Sequence, residues 1–196
     1  MLAVTLGATG VVLNQLFIWP QVWRARRTLE GVSLLTALSG VLARLAWSVY
    51  GWQTGDVALI AGNVTVTVGF LFLVVMLARG EVASWPRVTI STAAVVAGVL
   101  AAATSTVVLA WVAVLSAGVV VIPQLVRALA EPDRLAGVST VMYVLVATAS
   151  ACWLAYGIVV DDLIISAPHF VLLPTAMLTA WLAARAHATA DGPWRP

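Results

Sequence analysis

The segment from Val88 to Val126 contains no charged residue, and this long run limits the folds that the chain can adopt. As one α-helix with a rise of about 1.5 Å per residue it would be about 58 Å long, roughly twice the thickness of the hydrocarbon core of a bilayer. The run must therefore fold back on itself. The polar sequence Thr104-Ser105-Thr106 is the expected turn.

The composition indicates an integral membrane protein. Hydrophobic residues make up 62% of the chain, charged residues only 9%, and the mean hydropathy is +1.05, whereas soluble domains carry about a quarter charged residues. A helix needs about 20 apolar residues to cross a bilayer. By that length the predicted spans are residues 3–23, 32–52, 57–78, 87–105, 107–127, 138–159 and 163–184. The first of them lacks a preceding positive region, so we interpret it as a spanning helix and not as a cleaved signal.

The distribution of charge supports seven spans and predicts their orientation. With seven spans, nine of the ten arginines fall on one side of the membrane, and the opposite loops carry only Asp56, Asp161 and Asp162 as charges. The positive-inside rule then places the N-terminus outside and the C-terminus in the cytoplasm, and we expect the plasma membrane of a bacterium. Because the chain has no lysine, it cannot form a retinal Schiff base.

A set of residues recurs at a fixed distance, which indicates an internal duplication. Trp47, Tyr50, Gly51, Asp56 and Asn63 are each followed 106 positions later by Trp153, Tyr156, Gly157, Asp162 and His169. The Gly-Val-Ser sequence at 31–33 recurs at 137–139, and Pro-Gln at 20–21 recurs at 123–124. Self-similarity at a fixed offset is the signature of a repeat architecture.

Each copy comprises three spans, so an unduplicated fourth span is needed to bring the second copy in with the orientation of the first. The predicted fold is therefore all-α, with seven transmembrane helices arranged as two parallel three-helix repeats and a linker helix. The predicted divisions are residues 1–80, 81–105 for the linker, 106–186, and a cytoplasmic tail at 187–196. Small residues at Ala93, Ala97 and Ala101 are expected to pack the linker closely against a repeat.

The duplicated motifs resemble those of the PQ-loop superfamily, and specifically the SWEET and SemiSWEET sugar transporters. The shared features are Pro-Gln at the end of the first helix of a repeat, then Gly-Val-Ser, then Trp-x-x-Tyr-Gly-x4-Asp-x6-Asn, and they cover the chain to about Ala184. The resemblance implies a facilitator that alternates between outward and inward openings around a central site. A proline common near the start of the second helix of each repeat is missing here, at Leu34-Leu35 and at Thr140-Val141.

The resemblance also implies which residues bind the solute: Trp47, Asn63 and Trp153, with His169 at the position where the family usually has asparagine. The indole faces suit a sugar ring, and a carboxamide suits neighbouring hydroxyl groups. The alternatives are an interfacial belt for the tryptophans and an interhelical hydrogen bond for Asn63 or His169. His169 also offers a group that titrates near neutral pH and could couple transport to protons.

Arg44 stands three residues before Trp47, on roughly the same helical face, and has no acidic residue in any span to neutralise it. One interpretation is an arginine that reaches toward the outer headgroups, bonded to Asn14 or Gln15. The other is a clamp for an anionic group of the solute. The second copy has Ser150 at the equivalent position.

The prolines of the two Pro-Gln pairs, Pro20-Gln21 and Pro123-Gln124, are predicted to act as matched hinges for the inner gate. The alternative is a pair of tolerated kinks without motion. In the second copy, Pro168 and Pro174 are expected to loosen the last span and expose backbone carbonyls beside the site.

The leading functional prediction is passive transport of a small polar solute, and we expect a mono- or disaccharide. The alternatives are a membrane receptor or sensor that binds without transport, and a transporter of an anionic or vitamin-like solute that uses Arg44.

The sequence has no nucleophile and base pair, no metal-ligand spacing and no phosphate-binding loop, so we expect no enzyme activity, no cofactor and no metal. The net charge of +2 is too small to indicate nucleic acid. The expected partners are the solute and membrane lipid. Because both copies lie in one chain, a monomer suffices for a complete site, and higher assemblies remain open.

Overall fold

The computed structural model describes residues 1–27, 29, 32–130 and 140–190, and side chains within these ranges except at 17, 24, 118–124, 127–128, 187 and 189–190. In these ranges the regular secondary structure is entirely α-helical. The helices are α1 (Leu2–Ala25), α2 (Leu34–Thr54), α3 (Val57–Arg79), α4 (Trp85–Ala102), α5 (Thr106–Ala130), α6 (Thr140–Val159), α7 (Leu163–Ser166) and α8 (His169–Ala190).

These helices make seven membrane crossings. Helices α1 to α4 and α6, and the segment Leu163–Ala186, are each long and apolar enough to span a bilayer, and the 25-residue α5 supplies the remaining crossing. The turn predicted between the fourth and fifth spans is confirmed, since α4 ends at Ala102 and α5 begins at Thr106. The seventh crossing is made by α7 and α8 together, with a break at Ala167-Pro168.

Two short turns at one end of the bundle explain part of the duplicated motif. Asp56 caps α3 by accepting a hydrogen bond from the Leu59 amide at 2.9 Å, and Asp162 caps α7 by accepting one from the Ile164 amide at 3.0 Å. The glycine that follows each repeated tyrosine lets the helices approach closely, because a Cβ at Gly51 would lie 2.8 Å from Leu59 Cβ. We call this end, which holds Asp56, Asp161 and Asp162, the aspartate end.

The opposite end of the bundle is the arginine end. Its described basic residues are Arg26, Arg27, Arg79, Arg87 and Arg185. Two of these guanidinium groups lie over exposed indole rings, Arg26 at 5.3 Å from the Trp23 ring and Arg185 at 4.6 Å from the Trp181 ring. Such cation–π pairs suit the polar boundary of a bilayer.

Helices of the two halves pack against each other in matched pairs. Helix α1 packs against α3 and α6, and α5 packs against α2 and α8. A buried cluster near the aspartate end joins the halves through apolar side chains from α2, α3, α4, α5, α6 and α7, among them Trp47, Tyr50, Leu109, Trp153 and Tyr156. The halves are therefore tightly joined at this end of the molecule.

The prediction that Ala93, Ala97 and Ala101 pack α4 against a repeat is wrong, because α4 packs through a different face. Ala93, Ala97 and Ala101 are exposed, and α4 contacts α2, α3 and α5 through a face that includes Val88 and Val99, both nearly fully buried. A buried valine makes more van der Waals contacts than an alanine methyl group, so it can stabilise helix packing in a bilayer without a close backbone approach.

Candidate functional site

A cavity of about 280 Å³ lies in the middle of the helix bundle, a size that suits one small solute. It is enclosed mainly by α2, α3, α6 and α8, with contributions from α1, α5 and α7. Its described lining comprises Asn14, Gly40, Ala43, Arg44, Trp47, Leu59, Asn63, Phe70, Ala117, Met142, Tyr143, Val146, Ala149, Ser150, Trp153, Ile165, Pro168, His169 and Leu172.

Most of this lining comes in pairs that differ by 106 in residue number. Two residues of a pair occupy equivalent places in the duplicated sequence, so the cavity is built from the same positions of both copies. The pairs are Gly40 with Val146, Ala43 with Ala149, Arg44 with Ser150, Trp47 with Trp153, Leu59 with Ile165, and Asn63 with His169. The structure thus brings all five solute-binding candidates to one cavity.

Trp47 and Trp153 are far more buried than five other tryptophans of the chain. They are only 7% and 5% exposed, whereas Trp19, Trp23, Trp52, Trp85 and Trp181 are between 39% and 77% exposed. Each of the two packs edge-to-face on the tyrosine three residues later, Trp47 on Tyr50 at 5.8 Å and Trp153 on Tyr156 at 5.5 Å between ring centroids. These contacts hold each indole in a defined orientation on the cavity wall.

Trp153 also depends on two glycines of the first half. A Cβ at Gly10 would lie 2.7 Å from Trp153 Cε2, and one at Gly62 would lie 3.2 Å from Trp153 Cζ2. Because neither position has a side chain, the ring lies close to the backbones of α1 and α3. The first half therefore sets the position of an indole that belongs to the second.

Arg44 and Asn63 form the polar part of the wall. Arg44 Nη1 donates a hydrogen bond to Asn63 Oδ1 at 3.1 Å, and Asn63 Nδ2 donates to the Leu59 carbonyl at 2.9 Å. Asn63 is only 2% exposed, so these bonds satisfy an amide that would be costly to bury alone. One donor hydrogen and part of the acceptor capacity of this amide remain available beyond these two bonds.

His169 occupies the first position of α8, immediately after the break in the seventh crossing. Pro168 has no backbone N–H and cannot donate to the carbonyl one turn earlier, which explains why α7 ends here. The His169 Nδ1 atom is buried and has no hydrogen-bond partner within the described residues. The described part of the chain contains no group of three His, Cys, Asp or Glu residues that could hold a metal ion.

At the aspartate end, two hydrogen bonds connect the halves of the molecule. The Tyr50 hydroxyl donates to Asp162 Oδ2 at 2.8 Å, and the Tyr156 hydroxyl donates to Asp56 Oδ2, also at 2.8 Å. The two bonds join equivalent residues of the two copies, since Tyr156 and Asp162 follow Tyr50 and Asp56 by 106 positions. We refer to them as the crossed tyrosine–aspartate bonds, and they close the bundle above the two tryptophans.

Sequence reasoning did not assign a role to these four residues, although the signal was present in the sequence. Tyr50 and Asp56 recur with their spacing intact at Tyr156 and Asp162. Duplicated polar residues near helix ends point to a duplicated polar contact. Which tyrosine meets which aspartate, however, depends on how the halves pack together.

Of the four predicted hinge residues, Pro20 and Gln21 are absent from the described lining of the cavity. Helix α1 continues through Pro20 to Ala25, and both Pro20 and Gln21 are exposed. The side chains of Pro123 and Gln124 are outside the described part of the structure, although the backbone there belongs to α5. The hinge assignment stays a prediction.

No protein-family model matches the chain, and a search of curated protein sequences finds no match either. Among solved structures, a eukaryotic SWEET transporter superimposes on this chain with a TM-score of 0.83, covering 95% of this chain and 97% of its own. The fold is the SWEET fold. The two sequences are 15% identical, so the likeness establishes the shared architecture and not the solute. The helices that are long and apolar enough to span a bilayer, together with the shared fold, identify an integral membrane protein.

Proposed function

We propose that this protein is a facilitative transporter that moves a small polar solute, expected to be a mono- or disaccharide, by alternating access. The observation that carries the proposal is a central cavity built from equivalent positions of both sequence copies and closed on one side by bonds between them. A site shared by two similar halves can open to either side when the halves rock against each other. The SWEET fold of the chain supports the same mechanism.

The positive-inside rule places the aspartate end outside and the arginine end in the cytoplasm. In this orientation the structure represents a state closed to the outside, because the crossed tyrosine–aspartate bonds hold the halves together above the cavity. Opening to the outside requires both bonds to break. Pro20 and Pro123 near the arginine end are the proposed hinges of the inner gate.

In this mechanism Trp47 and Trp153 provide two apolar walls for the sugar ring. Asn63 and His169 face the cavity from equivalent positions and bind hydroxyl groups. The protein is proposed to act in the plasma membrane of a bacterium. One chain contributes both halves of the site, so a monomer suffices.

The proposal is tested by counterflow of labelled sugars into proteoliposomes that contain the purified protein. We expect uptake of at least one mono- or disaccharide, and a loss of about tenfold or more in Trp47→Ala, Trp153→Ala and Asn63→Ala. Trp181→Ala is the matched control because this tryptophan is 51% exposed and lies outside the cavity lining. Its uptake should equal that of the wild type.

Saturable binding without flux for every solute would overturn the transport proposal and favour a receptor or sensor. Equal losses in Trp181→Ala and Trp47→Ala would contradict the assignment of the site. Thermal unfolding of each variant in detergent separates a lost site from a lost fold.

A further inference from the structure

The two copies contribute different chemistry to the cavity, although they contribute equivalent positions. Arg44 and Asn63 of the first copy are matched by Ser150 and His169 of the second. On the first helix of each copy, where the offset is 103, Asn14 is matched by Ala117, and both line the cavity. The first copy thus supplies the strongly polar wall.

The polar wall carries a positive charge. Arg44 belongs to the lining, and no aspartate or glutamate is present among the described residues that line the cavity. Across the whole chain, all eight acidic residues lie outside the predicted spans. The field of a guanidinium group in a poorly solvated cavity attracts an anion and opposes the entry of a cation.

The same wall is rich in hydrogen-bond donors. A guanidinium group carries five N–H donors and no acceptor. The hydrogen bond from Arg44 to Asn63 positions this group at the cavity wall. Asn14 is 3% exposed, and its Nδ2 donor has no acceptor within the described part of the chain. Buried donors are normally paired. A solute that brings acceptor oxygens to this wall would complement both its charge and its donors.

We propose that the transported solute is a carboxylated sugar, with its carboxylate bound at Arg44 and its ring between Trp47 and Trp153. A carboxylate matches the planar fork of a guanidinium group and can accept two parallel hydrogen bonds. It carries one negative charge, which matches the charge that Arg44 brings to the described lining. A phosphate monoester carries about −1.5 to −2 at neutral pH and would exceed that charge. This inference rests on the proposed transport function and specifies its substrate class.

The test compares acids with their neutral parents in the full-length protein. Binding to the purified protein and counterflow into proteoliposomes are measured for D-glucuronate with D-glucose and for D-galacturonate with D-galactose. D-glucose 6-phosphate is measured in the same way, as the sugar that carries a phosphate in place of a carboxylate. We expect at least one acid to bind about tenfold or more tightly than its parent. The phosphate should bind more weakly than that acid.

Arg44→Gln should weaken binding of the preferred acid by about 10- to 100-fold, the effect expected for lost hydrogen bonds to a charged group. Binding of the neutral parent should weaken by a smaller factor, because it offers no carboxylate to Arg44, so the preference for the acid should be lost. Arg44→Lys keeps the positive charge but lacks the planar guanidinium group, so it should bind the acid with intermediate affinity. This variant also provides a test if Arg44→Gln does not fold. Arg87→Gln removes an exposed arginine at the arginine end and should leave the preference unchanged.

A neutral sugar transported in preference to its acid would overturn the carboxylate assignment and leave the transport function intact. Binding of an acid that depends on Arg44 but produces no counterflow would uphold the assignment and overturn transport. If no acid binds better than its parent, or if Arg44→Gln binds the acid as the wild type does, the carboxylate assignment is wrong.

Discussion

The Tyr50 hydroxyl in α2 donates a hydrogen bond to Asp162 Oδ2, 2.8 Å away at the start of α7, across 112 positions of sequence. Asp162 also accepts the Ile164 amide through its other carboxylate oxygen, so one side chain caps a helix and links two halves of the molecule. Asp56 does the same with Leu59 and Tyr156. Closure of the aspartate end is therefore coupled to the ends of the helices that carry the site.

Removing both tyrosine hydroxyls should favour the state that is open at the aspartate end. Hydrogen bonds to charged groups contribute about 1.5–3 kcal/mol each, so Tyr50→Phe/Tyr156→Phe should shift the conformational equilibrium more than either single change. The measurement is labelling of Ser150→Cys, in a Cys152→Ser background, by a membrane-impermeant maleimide added at the aspartate end. We expect faster labelling in the double variant.

The control for that experiment is Tyr143→Phe, which removes the hydroxyl of a tyrosine that takes no part in the crossed tyrosine–aspartate bonds. Its labelling rate should match that of the Ser150→Cys background. An unchanged rate in the double variant would show that these bonds do not hold the aspartate end closed.

Asp56→Ala should destabilise the protein more than Tyr156→Phe does. The alanine removes both the cap on the Leu59 amide and the acceptor for Tyr156, whereas the phenylalanine removes only the second contact. Loss of an N-cap alone costs about 0.5–2 kcal/mol. Asp56→Asn should be intermediate, because an amide oxygen still caps the helix. Thermal unfolding in detergent gives the order, and equal midpoints for Asp56→Ala and Tyr156→Phe would contradict it.

Gly10→Ala should impair the site although Gly10 is not itself part of the described cavity lining. The added methyl group would lie 2.7 Å from Trp153 Cε2, so the indole must move. Overpacking of this kind costs about 1–3 kcal/mol, and we expect uptake to fall about tenfold. Tryptophan fluorescence should report the displaced ring.

Gly98→Ala is the matched control for Gly10→Ala, because a Cβ at Gly98 meets no atom within 4 Å. In the middle of α4 this change should stabilise the protein by roughly 0.5–1 kcal/mol through helix propensity and leave uptake unchanged. Similar losses of uptake in the two variants would place the defect of Gly10→Ala somewhere other than at Trp153.

The proposed orientation predicts that the C-terminus lies in the cytoplasm. A fluorescent protein fused there should fold and emit in intact bacterial cells, and alkaline phosphatase fused there should be inactive. The reverse pattern would place the aspartate end in the cytoplasm, with the crossed tyrosine–aspartate bonds closing the inner side.

The number of crossings and the turn before Thr106 were predictable because both follow from local sequence. A span requires a fixed length of apolar residues, and a charge-free run about as long as two bilayer crossings must turn where polar residues permit. The packing face of α4 was not predictable in this way. In a bilayer, lipid and protein interior are both apolar, so the spacing of Ala93, Ala97 and Ala101 does not reveal which surface a helix face contacts.

The sequence by itself determined the architecture and the chemical inventory of the site: seven crossings, a duplication with a 106-residue offset, and a tryptophan in each copy with one arginine beside the first. Only the tertiary structure decided that Arg44 donates to Asn63, that Trp153 rests against Gly10, and that each tyrosine reaches the aspartate of the other half. These contacts join residues between 19 and 143 positions apart. They depend on how the helices of two nearly equivalent halves pack together. The local sequence around each residue does not specify which distant residue it will meet.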